Sequence, residues 1–250
     1  MEELMNGKMG CTRKERRTLS SKLTNLRPAK RRACLVKLPS KCSIKDMFPP
    51  VYLQHYGNCT SNAVLGCDDM IYHGSGIWVP STTFTYYNQK KGEKPMKDTG
   101  SDIETALKTV KKYGACSAKM WANDKPFDEK PSKEAYENGL HGHEIKKWYE
   151  VKNQKQIKQA IFRGYPVAIS MEWAFKYIDV EYVLDTPTKK QAFDAPSCHA
   201  IVIVGYDDDN KLYEFRNSWG SQWGNNGYAF FTYEAVKNCA LWDDTYAVVK

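Results

Sequence analysis

Apolar residues recur at three- and four-residue steps in three stretches of the chain, each predicting a helix with one buried face. The first carries Ala63, Val64, Cys67, Met70 and Ile71; the second Ile103, Ala106, Leu107 and Val110; the third Ile157, Ala160 and Ile161. The second opens on Gly100-Ser101-Asp102-Ile103-Glu104, which predicts Ser101 as N-cap and Glu104 closing a capping box, with Gly114 as the stop. The third starts at Asn153 and stops at Gly164. Between the first two, Pro80 to Tyr87 is aromatic and β-branched, a pattern that leaves a second helix and a packed loop both open. Ile44 to Tyr52, with Pro49-Pro50, reads as an extended lead-in to the first helix.

The period then changes. Pro166 to Met171, His199 to Tyr206, Leu212 to Arg216 and Tyr228 to Tyr233 are strand-like runs. Helices first and strands later predict an α+β protein. At 250 residues the chain can form one large domain or two intimate lobes. Its 42% hydrophobic and 13% aromatic content excludes a disordered chain. The longest apolar run, around Ile201 to Val204, is far too short to span a bilayer, so no membrane partner is expected.

Charge divides the chain. Residues 1–41 hold twelve Lys and Arg against Glu2, Glu3 and Glu15, a local balance of +9 in a chain whose total is +8. The first 45 residues are therefore expected to be a basic arm on a near-neutral body, with a polyanion (nucleic acid or nucleotide) as its expected partner. Arg16-Arg17 through Leu26 can form a short basic helix with Leu19, Leu23 and Leu26 as its apolar edge, and Arg27 to Arg32 has the pattern of a polyanion or nuclear-localisation patch. Met1 to Met5 leads into Lys- and Arg-rich sequence without the apolar core of a secretory leader, so an intracellular or virion-packaged protein is expected. His141-Gly142-His143 with Glu144 lacks a further Cys/His pair at finger spacing and reads as a solvated turn; no metal and no cofactor are expected.

The chemistry concentrates in three blocks. Gln54-His55-Tyr56-Gly57-Asn58-Cys59 sets a cysteine at the start of the first helix, where the positive end of the helix dipole favours a thiolate. Ser197-Cys198-His199-Ala200 places a histidine at the head of an apolar strand. Asn217-Ser218-Trp219-Gly220 is followed by Trp223-Gly224 and Gly227-Tyr228. Together these resemble the signature blocks of papain-like cysteine peptidases, the papain and cathepsin group, over roughly residues 46–250. The separation of 140 residues from Cys59 to His199 fits the rough 130–150 of that family.

The resemblance implies a two-lobed fold, with a mainly helical lobe (46–145) and a β-barrel-like lobe (146–250) facing across a cleft. It implies thiol-dependent endopeptidase activity through a thioester acyl-enzyme on protein or peptide substrates, of cathepsin-B or related microbial or viral type. Cys59 would attack, His199 would exchange protons, Asn217 would orient the imidazole under the shield of Trp219, and Gln54 with the Cys59 N–H would form the oxyanion hole. Gly100, Ser101, Trp219 and Ala200 would line the substrate path. Asp243 or Asp244, after Cys239, would sit near the pocket for the second residue before the cut and favour Arg there. The sequence departs from the family in three places: Gln54 is one residue closer to the nucleophile than usual, Thr60 replaces a Trp, and Leu53 stands where Asp or Asn is common.

Eight cysteines occur, at 11, 34, 42, 59, 67, 116, 198 and 239. The cysteine that secreted relatives place three residues before the nucleophile is Tyr56 here, so free thiols in a reducing compartment are expected, with Cys67, Cys116 and Cys198 as packing residues. In the resembling family the preceding segment blocks the cleft as a zymogen. This arm has little apolar surface, so a hold that is largely electrostatic and weakened by salt is expected. Two rival expectations are a catalytically silent homologue acting as a nucleic-acid-associated structural protein, and a papain-like exopeptidase or acyl transferase.

Overall fold

Nine strands and seven α-helices make up the described part of the computed structural model, which covers residues 2–3, 9–12, 37–72, 78–142 and 145–249. In chain order they are β1 (Glu2–Glu3), β2 (Lys41–Ser43), α1 (Cys59–Tyr72), α2 (Thr82–Lys90), α3 (Ile103–Tyr113), α4 (Lys133–His141), β3 (Lys147–Glu150), α5 (Gln154–Phe162), β4 (Val167–Glu172), β5 (Tyr177–Ile178), α6 (Lys189–Phe193), β6 (Cys198–Asp207), β7 (Leu212–Arg216), β8 (Tyr228–Thr232), α7 (Tyr233–Cys239) and β9 (Ala240–Val249). The order of helices and then strands is the α+β arrangement expected. The helix that the arm's Arg16 to Leu26 would form, and the basic cluster from Arg27 to Arg32, lie outside the described residues.

A seven-stranded antiparallel sheet runs β3-β9-β4-β6-β7-β8, with β2 added to β6. Residues 41–43, counted above with the arm, are thus part of this sheet, pairing Lys41 to Ser43 with Asp207 to Gly205. The central strand β6 is buried along nearly its whole length, because neighbours cover both faces: β4 and β7 hydrogen-bond to its edges and α1 and α5 pack on it. Its unbroken apolar run is what a strand buried on both faces requires. Register positions the chemistry: β4 sets Met171 opposite His199, and β7 sets Arg216 opposite Val202. The chain therefore leaves β7 at Asn217 within reach of the histidine.

The helices form as their stripes dictate. In α3, Ile103, Ala106, Leu107 and Val110 are buried and Gly114 ends the helix at φ +68°. The N-cap is Asp102, whose carboxylate accepts from the Thr105 N–H at 2.9 Å, one residue later than Ser101. Ser101 is displaced from that role because its backbone is paired elsewhere. Pro80 to Tyr87 resolves as a helix start, with the Ser81 hydroxyl accepting from the Phe84 N–H at 3.1 Å. Asn153 caps α5, as its sequence predicts.

Leu107 is fully buried on α3, the helix that packs on α1, α2 and the sheet. Leu107→Ala is expected to cost about 2–5 kcal/mol of unfolding free energy, as deletion of a buried leucine does. Asp102→Ala should cost about 1 kcal/mol through the lost cap. Urea melts of both variants check the ranking; an Asp102→Ala loss as large as that of Leu107→Ala would mean the carboxylate does more than cap.

Candidate active site

Helix α1 begins at Cys59, whose side chain is fully buried. Its Sγ accepts backbone N–H groups from Ala200, Gly10 and Thr60. The first of these is the residue after His199, so the helix terminus and the head of β6 meet at the sulfur. Burial pushes the thiol up to about 11, with the nearby Asp244 charge adding to the rise and the three N–H donors opposing it. That reverses the lowering expected from the helix dipole. The cause is the complete burial of the sulfur, which outweighs the backbone N–H groups, that of Gly10 among them, that favour the thiolate.

The imidazole of His199 has its Nε2 at 2.8 Å from Asn217 Oδ1. The Ser218 N–H donates to the same oxygen at 2.8 Å, fixing the Asn217 amide with its acceptor toward the ring. Nε2 therefore carries the hydrogen, and Nδ1, without a hydrogen-bond partner among the described residues, is the free base. Burial lowers the histidine to about 4, against the opposing Asn217 bond, so the ring is neutral in this arrangement. Trp219 stacks on the ring with centroids 4.9 Å apart, and Trp173 meets it edge-on at 4.9 Å. These two indoles keep water from the His199–Asn217 bond.

Gln54 is fastened to the residue after Asn217. Its N–H donates to the Ser218 carbonyl at 2.8 Å, and the Ser218 hydroxyl donates to its Oε1 at 2.6 Å. Leu53 bridges Trp219 in the same short antiparallel ladder. The Gln54 Nε2 donates to the Tyr56 carbonyl at 2.7 Å. With the turn one residue short, one amide hydrogen closes that turn.

A braced pair of loops forms one wall of the cleft. The Gly57 N–H and the Tyr86 hydroxyl both donate to Asp98 Oδ1, at 2.8 and 2.9 Å, and the Gly100 N–H donates to the Tyr86 oxygen at 3.0 Å. The buried Lys90 ammonium donates to the Gly100 carbonyl at 2.9 Å. Residues 9–12 run between this wall and β6. Ser101 donates its N–H to the Gly10 carbonyl at 2.9 Å, Thr12 donates to the Ser101 carbonyl at 2.8 Å, and Cys11 donates to the Cys198 carbonyl at 3.3 Å. A Cβ on Gly10 would fall 2.0 Å from the Gly57 oxygen, and one on Gly100 1.8 Å from the Gly10 oxygen, so only glycines allow the strands this close.

Cys11 is joined to Cys198 by a disulfide. This overturns the expectation of free thiols at both positions and of Cys198 as a packing residue: the arm's course brings Cys11 beside β6, a juxtaposition across 187 residues that spacing cannot show. The hold is likewise not merely electrostatic, since among the described residues it is covalent and backbone-mediated. Cys42, Cys59, Cys67, Cys116 and Cys239 are free.

Asp244 is buried, accepting from the Ile103 N–H at 3.1 Å and the Ser170 hydroxyl at 2.7 Å, whereas Asp243 is exposed. Of the two acids, Asp244 is the one whose charge acts on Cys59. Sequence reasoning missed Trp173, Tyr86, Lys90, Asp98 and Arg216. Arg216 donates to the carbonyls of Pro49 and Pro50 at 2.8 and 2.7 Å, which pins the lead-in carrying Gln54. Burial raises Asp68 to about 8 and Asp69, held by the Tyr52 hydroxyl, to about 6. None of these had a local pattern; only Arg216, next to Asn217, stood beside a motif. His141 ends α4, while His143 and Glu144 lie outside the described residues. No group of three or more metal-ligating side chains occurs among the described residues, nor any helix long and apolar enough to cross a membrane.

The sequence profile of the papain family cysteine proteases matches residues 58–249. An uncharacterised peptidase C1-like protein of Acanthamoeba polyphaga mimivirus is 30% identical over 213 residues, 77% of this chain and 67% of that protein. A viral cathepsin of Spodoptera litura multicapsid nucleopolyhedrovirus is 28% identical over 82 residues, 32% of this chain and 23% of its own length. Among solved structures, the cysteine protease xylellain from Xylella fastidiosa superposes with a TM-score of 0.76 at 24% identity, covering 100% of this chain and 99% of its own. Digestive procathepsin L 3 of Tenebrio molitor does so with 0.66 at 17%, covering 87% and 72%. This chain belongs to the papain family of cysteine proteases, and its fold is the papain-like one. These relatives give no support for a nucleic-acid partner.

With a thiol near 11, only about one part in 10⁴ of Cys59 is thiolate at pH 7 in the arm-seated form. Iodoacetamide should therefore modify Cys59 slowly at neutral pH, the rate climbing only above about pH 10. Gly10→Ala, which cannot seat against Gly57, is expected to react faster at pH 7. Equal rates in the two proteins would show that Gly10 does not cover the sulfur.

Proposed function

We propose that the chain is a thiol-dependent endopeptidase acting on protein or peptide substrates, with Cys59 as nucleophile, His199 as acid–base group and Asn217 as its orienter. The observation that carries this reading is the 2.8 Å His199–Asn217 bond, with Nε2 as donor, beside a helix-terminal Cys59. With the arm withdrawn, Nδ1 takes the Cys59 proton and the thiolate adds to the scissile carbonyl. The oxyanion is held by the Cys59 N–H and the second hydrogen of Gln54 Nε2. The imidazolium then protonates the leaving amine, and water, deprotonated by the same Nδ1, hydrolyses the thioester. Gly100, Ser101 and Ala200 present backbone to the substrate strand, the use to which residues 9–12 now put Ser101. The latent, arm-covered arrangement is that of a zymogen.

Cys59→Ala and His199→Ala are expected to abolish hydrolysis of a fluorogenic peptide by protein lacking residues 1–36, a boundary that spares β2. Asn217→Ala should be milder, since it moves no proton. Gln54→Ala should lower kcat by about 10²-fold, the usual effect of one oxyanion donor. An unchanged kcat would mean that Gln54 serves only the turn.

Asp244 is proposed to favour Arg at the second residue before the cut through the charge of its buried carboxylate, whose Oδ2 is already held by the Ile103 N–H and the Ser170 hydroxyl. The expected result is a preference for Arg over Leu that Asp244→Ala abolishes and Asp243→Ala leaves intact. A preference for Leu unaffected by either change sinks the assignment.

A further inference from the structure

Cys11 sits between the two walls of the cleft, forming a parallel bridge with Ser101 and an antiparallel bridge with Cys198. Its side chain is bonded to Cys198, the residue immediately before His199. One residue back, the Gly10 N–H donates to Cys59 Sγ. Two residues back, Met9 Sδ accepts from the Ser197 hydroxyl at 3.2 Å. Earlier still, β1 pairs Glu2 with Ile178 and Glu3 with Tyr177 of β5. The arm thus lies across the nucleophile at the place where a substrate strand would enter.

We propose that Cys11–Cys198 is a thiol-exchange site: a redox latch that keeps residues 9–12 over Cys59 until a dithiol reductant opens it. The inference rests on the peptidase reading of Cys59. Three features distinguish a latch from a staple of the fold. The bond joins the arm to the cleft wall and does not link two elements of the catalytic body. The remaining hold of residues 9–12 is a few backbone hydrogen bonds, a glycine and the Met9–Ser197 contact, with Met9 itself exposed, so little side-chain burial keeps the segment seated once the bond is gone. And Cys11 lies one residue from the Gly10 N–H that meets Cys59, so opening the bond frees the segment that covers the nucleophile.

The exchange balances with a dithiol alone. Cys11 is the more accessible partner, 9% exposed against 2% for Cys198. A thiolate of the reductant attacks Cys11 Sγ, the S–S bond breaks, and the electron pair leaves on Cys198, which takes a proton from solvent. The reductant's second thiol then attacks the mixed disulfide, releasing the Cys11 thiol and the oxidised, cyclic reductant. The protein gains two hydrogens and the dithiol loses two. Residues 9–12, no longer cross-linked to β6, exchange with substrate. The cross-link restricts a segment that the chain itself keeps nearby, and closing a loop by a disulfide commonly shifts an opening equilibrium by roughly 30–10³-fold, so release should have an effect of that order.

The test uses the full-length chain equilibrated with oxidised glutathione, and an epoxide affinity label for Cys59 whose adduct is located by peptide mass mapping. The same maps report whether Cys11–Cys198 is closed and Cys59 free before labelling. Oxidised wild type is expected to label at least about 30-fold more slowly than the same protein after dithiothreitol. Cys11→Ser should label at the fast rate with or without dithiothreitol. Equal rates for oxidised and reduced wild type with the disulfide closed, or failure of the disulfide to form under oxidised glutathione, would overturn the latch while leaving the peptidase reading intact. If reduced wild type, Cys11→Ser and protein lacking residues 1–36 all fail to label at Cys59, the peptidase reading is what fails, and the latch falls with it. The comparison within wild type stands even if Cys11→Ser does not fold.

Discussion

Ser218 is the residue on which the geometry of the site turns. Its N–H fixes the Asn217 oxygen, its hydroxyl fixes the Gln54 oxygen, and its carbonyl receives the Gln54 N–H. One residue thereby sets the orientation of two side-chain amides that belong to segments far apart in sequence. The two demands are linked: Asn217 must face the imidazole with an acceptor for Nε2 to carry the hydrogen, and Gln54 must face Tyr56 and the cleft with its donor. Trp219, the next residue, closes the arrangement by stacking on His199. A shift of one register position here would disturb the Asn217 and Gln54 amides together, the two groups to which the proposed mechanism gives imidazole orientation and oxyanion binding.

Burial governs the state in which the site rests. Fully buried, Cys59 and His199 are both pushed toward their neutral forms, the thiol up and the imidazole down. An ion pair needs the electrostatic support of the helix terminus without so large a desolvation cost. Under the proposed mechanism, withdrawal of the arm lowers that cost for Cys59, on which the Gly10 N–H rests. The chemical potential of the site is thus coupled to occupancy of the cleft, and the disulfide makes that occupancy covalent.

Much of this was legible in the sequence, for definite reasons. The stripes of α1, α3 and α5 are read directly because each helix buries one face, and β6 because it buries two. The Cys59, His199 and Asn217 blocks each carry a local signature. What was not legible depends on distant partners. β9 hid because Asp243 and Asp244 interrupt its apolar run, and Asp244 is tolerated there only because Ile103 and Ser170 satisfy it. α4 hid because only Ala135 and Gly139 of it are buried. Lys90 reads as a surface charge, yet it is buried against the Gly100 carbonyl. Ser101 has the pattern of a cap, yet its backbone serves the arm and the cap passes to Asp102. The Cys11–Cys198 pairing has no signal in spacing at all.

The central claim is that Cys59 forms a thioester with the substrate during turnover. Acid-quenching the reduced enzyme with a slow ester substrate and locating the acyl group by peptide mass mapping tests it directly. The account predicts an acyl group on Cys59 that builds up in the first turnover and is absent from Cys59→Ala. Substrate hydrolysis by Cys59→Ala at the wild-type rate, or an acyl group carried by another residue during full turnover, would contradict it.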